Sequence, residues 1–143
     1  MVKRRTLIKA LLTLTLFLCA IGTNAENQNG KSWETLIKAI SAVESGNDVN
    51  AKNGRHVGIL QISPCVVDDC NKICKEKRFK YSDRYSKEKS IEMFNVYQDK
   101  YNPKRELEKA LQVWNGGPGY SIKKTNGYVR RVMKKYHELL NAR

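Results

Sequence analysis

Trp33, Ile37, Ile40 and Glu44 recur at steps of four, three and four, a spacing that places them on one face of a helix. A carboxylate thus shares a stripe with large apolar side chains, although a solvated acid belongs on the opposite face. Partial burial disfavours an ionised carboxylate and raises its pKa, which is what a general acid working near neutral pH requires. The plainer reading is a helix-end glutamate that reaches water beside Gly46. Ser32 is the expected N-cap, with Glu34 in the first turn, and Gly46 is placed to end the helix after about Glu44.

The rest of the chain repeats this helical patterning. Asn47 to Val57 is polar and rich in Asn and Gly, which reads as a loop. Gly58-Ile59-Leu60-Gln61-Ile62 is a short apolar run, either a strand or a buried irregular segment, and a buried Gln61 needs hydrogen-bond partners. Ser63-Pro64 combines a capping hydroxyl with proline at the first helical position, so a helix is expected over about Pro64 to Glu76. Arg78 to Tyr85 shows no clear period. Ser86 caps the next helix, whose apolar side is Ile91, Phe94, Val96, Tyr97 and Tyr101 and which Asn102-Pro103 ends. Leu107, Ala110, Leu111 and Trp114 mark a further helix from about Lys104. Three glycines and a proline make Asn115 to Gly119 a tight loop, and Ile122 to Gly127 reads as a second polar loop. Tyr128, Val132, Met133, Tyr136 and Leu140 line one side of a last helix. The fold class that follows is all-α, with a small irregular or β segment near 57–62.

Residues 1–25 read as a secretory signal peptide: Lys3, Arg4, Arg5 and Lys9 precede an apolar run, and Thr23-Asn24-Ala25 suits cleavage before Glu26. The run is too short for a comfortable membrane span, so no stable span is expected after cleavage; an uncleaved anchor is the alternative. Leu18 is bulky where a lipoprotein signal wants a small residue, so Cys19 goes with the discarded segment. Residues 26–31 read as a flexible leader and 32–143 as one domain. The segment removed takes four of the 27 basic residues and none of the 14 acidic ones, leaving 23 against 14, or +9. Such a charge favours anionic partners, which for an exported protein are envelope and wall polymers. Scattered basic residues without a binding motif argue against nucleic acid.

Cys65, Cys70 and Cys74 are the cysteines of the mature chain, and export makes one disulfide among them the expectation, with the pairing open. A zinc site joining them to His56 is not expected, because Cys-x4-Cys-x3-Cys is not a common zinc spacing. No metal or cofactor is called for.

Val43-Glu44-Ser45-Gly46, Gly58-Ile59-Leu60-Gln61-Ile62 and Trp114-Asn115-Gly116-Gly117-Pro118-Gly119, followed by Tyr128-Val129-Arg130-Arg131-Val132, occur in a suggestive order. They resemble the Glu-Ser, Gly-Leu-Met-Gln and Tyr-Asn-Ala-Gly motifs of soluble lytic transglycosylase domains in the lysozyme-like superfamily. The resemblance runs from about Trp33 to about Tyr136. It implies a helical lysozyme-like fold acting on peptidoglycan glycan strands, with Glu44 as the catalytic acid and base that yields anhydro-muramic ends. It carries substrate contacts onto Ser45, Gln61 and Asn115, and onto Tyr128, for which packing is an equal reading. For Gln61 the alternative is a structural tie to the loop. The family's usual tyrosine before the asparagine is here Trp114, whose indole donates a hydrogen bond but accepts none.

Asp68 and Asp69 keep a hydrolytic alternative open, because goose-type lysozymes of the same superfamily use downstream aspartates to hold a water. Their other reading is as acids in the first turns of the Pro64 helix. A third reading is a glycan-binding envelope module without turnover. Stand-alone domains of this kind serve wall turnover, envelope-spanning secretion or conjugation machines, or phage entry and release.

Overall fold

The computed structural model describes residues 29–142; the expected signal peptide and residues 26–28 lie outside them. The chain divides into two compact units, Met1–Glu34 and Thr35–Arg143. Of the first, 29–34 is described and is helical. Every residue that lines the cavity described below lies in the second.

Helix α1 covers 29–45. Residues 29–31, expected as leader, are already helical, so Ser32 sits inside the helix and does not cap it. Leu36, Ala39 and Ile40 are fully buried, and each large side chain so placed contributes about 2 kcal/mol. Gly46 at φ 63 and Asn47 at φ 69 end the helix in the left-handed region. Their N–H groups donate to the carbonyls of Ala42 and Ser41, and the Ser41 hydroxyl donates to Asn47 Oδ1 at 2.7 Å.

The expected loop beyond contains a two-stranded hairpin, β1 (Lys52–Asn53) and β2 (His56–Val57), paired Lys52 to Val57 and Asn53 to His56. Gly54 takes φ 59 in the first position of the two-residue turn, where a type II′ turn requires glycine. Gly58 to Gln61 is not a strand. It is a turn closed by Gln61 N to Gly58 O, 3.1 Å, and by the paired backbones of Val57 and Ile62. Ile59 and Leu60 are driven into the core from this turn, which is why an apolar run appears without strand length.

Helix α2 spans Pro64–Cys74 with Pro64 in the first turn, and Ser63 stands at the cap position with no side-chain cap bond. The helix ends at Cys74, short of Glu76, where Lys75 turns left-handed. The three thiols are free, which corrects the expected disulfide. Pro64 starts the helix before Cys65, so Cys65 lies five residues from Cys70 on a different face. Cys70 is buried and donates to Met93 O at 3.4 Å, and burial pushes its thiol up to about 12.

A 3-10 turn at Tyr81–Tyr85 fills the stretch without clear period. Helix α3, Lys87–Tyr101, is capped by the Ser86 side chain accepting from Lys89 N–H and stops at Asn102, as its sequence indicates. Asn102 is buried; its amide donates to Gln98 Oε1 and Glu106 O and accepts from Glu106 N–H. That small polar network sets the turn into α4, Leu107–Gly116. α4 therefore begins later than Lys104 and continues through Asn115 and Gly116, which the sequence assigned to a loop.

Helix α5 runs Ile122–Asn141, so the expected polar loop 122–127 is its opening. Thr125 is buried and its hydroxyl donates to Ser121 O at 3.0 Å. A Cβ on Gly116 would stand 2.8 Å from Thr125 Cγ2 and 2.7 Å from Tyr120 Cβ, so the bare Gly116 lets α5 close onto α4. Packing of this kind overrides the weak helix propensity of Lys-Thr-Asn-Gly. α4 packs on α5 and α3, and α2 on α3. Among the described residues the architecture is five α-helices with one tiny sheet, the all-α class expected. No helix among them is long and apolar enough to cross a membrane.

Candidate active site

Glu44 stands in the last turn of α1, one turn beyond fully buried Ile40. It opens into a cavity of about 380 Å³ that Gln61, Ser63, Trp114 and Asn115 also line. The hairpin adds Asn53 and His56 to the wall. Among the lining residues Glu44 is the single acid. Burial pushes its carboxyl above the ordinary value of 4.5, while the Tyr128 hydroxyl and the Arg131 charge pull it part of the way back.

Tyr128 rises from α5 and is 5 % exposed, and its hydroxyl makes no hydrogen bond of ordinary geometry. Burial first, then the charge of Glu44, hold its own pKa well above 10. The buried Tyr128 hydroxyl and the Glu44 carboxyl are therefore neighbours that shift each other's proton affinity. Arg131, one turn on, lies 6.0 Å from the Tyr128 ring centroid. A cation over an aromatic face is attractive, and here it brings a positive charge toward the carboxyl.

Trp114 is fixed by edge contacts with Phe94, 4.9 Å between centroids, and Tyr97, 5.9 Å. It serves as a wall of the cavity, and the hydroxyl beside Glu44 is supplied by Tyr128. Asn115 is exposed in the last turn of α4, and Gly117, which follows at φ 75, lines the cavity beside it.

A family model, the transglycosylase SLT domain, matches residues 22–137. The chain belongs to this family. The matched region begins inside the segment read as a signal peptide and ends one residue past Tyr136. No curated protein and no solved structure matches the chain. The SLT domain is a peptidoglycan-acting, lysozyme-like domain at the level of the family.

The residues singled out in the sequence of this SLT domain take different places. Glu44, Gln61 and Asn115 meet at the cavity. Ser45 does not line it: its hydroxyl is shared between Ile59 O at 2.9 Å and Ser41 O at 3.1 Å, fastening the helix end to the turn. Gln61 is held at φ 49, and its amide nitrogen donates to Gly58 O at 2.9 Å and Ala51 O at 3.3 Å. The tie to the loop orients the side chain and leaves its carbonyl oxygen for the cavity. Asp68 and Asp69 lie in the second turn of α2, away from the lining. Asp68 accepts from the Tyr81 hydroxyl at 3.0 Å and Asp69 pairs with Lys72 at 3.5 Å.

His56 enters the sequence reading only as a zinc ligand and Arg131 only within the run after Tyr128; neither, nor Asn53, is expected there beside Glu44. Asn53-Gly54 is itself a hairpin signal, and Arg131 follows Tyr128 at helical i,i+3 spacing.

The Tyr128 contact makes a prediction about pH. Its hydroxyl lowers the Glu44 pKa, so Tyr128→Phe raises it further. In a pH–rate profile the alkaline limb, where the acid loses its proton, is expected to move to higher pH, with the plateau rate down about tenfold from poorer positioning. Stability should hold within about 0.5 kcal/mol, since the hydroxyl gives up no bond of ordinary geometry. An unmoved limb would separate Tyr128 from the proton chemistry.

Proposed function

We propose that this protein is an exported lytic transglycosylase that cuts the bond between N-acetylmuramic acid and N-acetylglucosamine with Glu44 as its one catalytic carboxyl. The observation that carries the reading is the single acid in the cavity, held toward its protonated form by burial. Glycosidases that use water deploy two carboxyl groups flanking the bond. One carboxyl suffices when the nucleophile belongs to the substrate.

In that sequence Glu44 gives its proton to the glycosidic oxygen as the bond to the anomeric carbon breaks. The substrate's N-acetyl oxygen shares the positive charge that develops there. The Glu44 carboxylate then takes the proton of the muramic C6 hydroxyl, and that oxygen bonds to the anomeric carbon. Glu44 ends protonated, as it began, so the raised pKa suits both halves of the cycle. Gln61 and Asn115 offer amide hydrogen bonds to the N-acetyl groups and hold the ring against Glu44. Export to the periplasm or beyond, and service to a secretion, conjugation or phage apparatus, complete the proposal.

The test is mass spectrometry of muropeptides released from purified wall by the mature protein. Anhydro-muramic ends are expected. Reducing ends would replace the reading with hydrolysis, and wall bound without cleavage would replace it with a binding module.

A further inference from the structure

The hairpin wall of the cavity has chemistry that the cleavage reaction leaves unused. Asn53 and His56 are cross-strand partners, so their side chains leave the ribbon on the same face, and both line the cavity that holds Glu44. Arg55 sits in the turn between them. The side chains of Asn53, Arg55 and His56 make no hydrogen bond or ion pair within the described residues, and all three are exposed. The scaffold beneath them is firm. Arg84 donates to Arg55 O at 3.0 Å and to Ile62 O at 3.1 Å, while its Nε is held by Tyr81 O. Donors that are unspent, carried on a held backbone and free of acidic neighbours on the ribbon are arranged for an anion. The one acid facing them across the cavity is Glu44, which burial holds toward its neutral form.

We propose that Asn53, Arg55 and His56 form a subsite that binds a stem-peptide carboxylate of the glycan strand, so that the enzyme selects strands carrying peptides over denuded ones. This rests on the transglycosylase reading for the identity of the substrate. The glycan of peptidoglycan has no charge of its own once its lactyl groups are amide-linked, and its carboxylates reside in the peptides. A basic hairpin beside the cleavage point therefore has one kind of anionic group on that polymer to meet. Charges at a solvated rim add to affinity and encounter rate, and salt weakens both.

The test compares binding and cleavage on two substrates, glycan strands bearing stem peptides and the same strands stripped by an amidase. Binding is measured in the Glu44→Gln background, where turnover does not intervene. Without hairpin changes, stem-bearing strands should bind about tenfold tighter than stripped ones at low salt. Adding Arg55→Gln and His56→Gln should erase that ratio. In the active enzyme the same pair should raise KM on stem-bearing strands with little change in kcat, the mark of a binding contact made equally in ground and transition states. Arg55→Gln alone, at an exposed turn position, should give a partial loss and guards against a misfolded hairpin. Equal binding of the two substrates, or a ratio that survives the double substitution, would overturn the subsite. Binding that discriminates while the wild type cleaves neither substrate would instead defeat the transglycosylase reading and leave the subsite standing.

Discussion

Glu44→Gln is expected to reduce glycan cleavage by at least about a thousandfold and to leave a protein more stable than the wild type at neutral pH. The first part follows from asking one group to serve as both acid and base. A positioned general acid or base contributes about 10²- to 10⁴-fold, and here no other carboxyl lines the cavity to take over. Gln keeps the shape and offers the same hydrogen bonds to a sugar without a proton to transfer, so glycan binding should persist. The second part follows from linkage. The folded chain holds the Glu44 proton more tightly than the unfolded chain, because its pKa is raised above 4.5. Stability therefore falls as pH rises through the window between 4.5 and the raised value, and the cost is fully present above it. Gln does not pass through that window. Thermal unfolding at pH 7 should show the variant with the higher Tm, and the gap should close below about pH 4.5, where the carboxyl is protonated in both states. A variant less stable at pH 7 would mean that Glu44 is solvated as an ordinary helix-end acid.

The helices were legible because apolar residues at helical spacing have one good solution, and Ser86 and Asn102-Pro103 marked α3 at both ends. The errors fall where a distant contact decides the local backbone. Thr125-Asn126-Gly127 are weak helix formers; what recruits them into α5 is Thr125 seated against Gly116, a pairing invisible to a local window. The same closeness draws Asn115 and Gly116 into α4. For the cysteines, compartment suggested a bond, but Pro64 starts α2 before Cys65 and so turns Cys65 away from Cys70, and all three thiols are free.

At the site, the stripe that set Glu44 among apolar residues was a physical signal, and the burial behind the raised pKa is what that signal described. Asn115 came from motif order, and Gln61 from motif order together with a weaker signal of its own, an amide among apolar neighbours that needs partners. Ser45 shows the limit of motif matching, since adjacency to Glu44 along the helix turns its hydroxyl toward Ile59 O and away from the cavity. Tyr128 is legible as an apolar position on α5 and, through the resemblance, as a substrate contact, but not as a partner of Glu44. Its bearing on Glu44 depends on where α5 crosses the end of α1, which sequence spacing does not contain.

Gly58→Ala is expected to be the most destabilising small substitution in this site, costing between about 2 and 5 kcal/mol. Gly58 has φ 77, and a Cβ there would lie 1.8 Å from the carbonyl oxygen of Arg84 and 2.9 Å from its carbonyl carbon. The left-handed conformation costs a residue with a Cβ roughly 1–2 kcal/mol, and overpacking adds about 1–3 kcal/mol. Backbone is on both sides of the clash, so no side chain can swing away to relieve it. Separation of the turn from the 3-10 segment would also strain the Arg84 bonds to Arg55 O and Ile62 O and the Ser90 hydroxyl bond to Arg84 O at 3.0 Å. Against a typical total of about 5–15 kcal/mol the loss is a large fraction. Gly54→Ala is the control, because Gly54 shares a positive φ of 59 but a Cβ there meets nothing within 4 Å. It should cost only the conformational part, about 1–2 kcal/mol. Urea unfolding of the two variants separates the terms: equal losses would show that the Arg84 carbonyl yields, and a Gly58 loss well beyond that of Gly54 would show that contact pinning the hairpin wall beside Glu44.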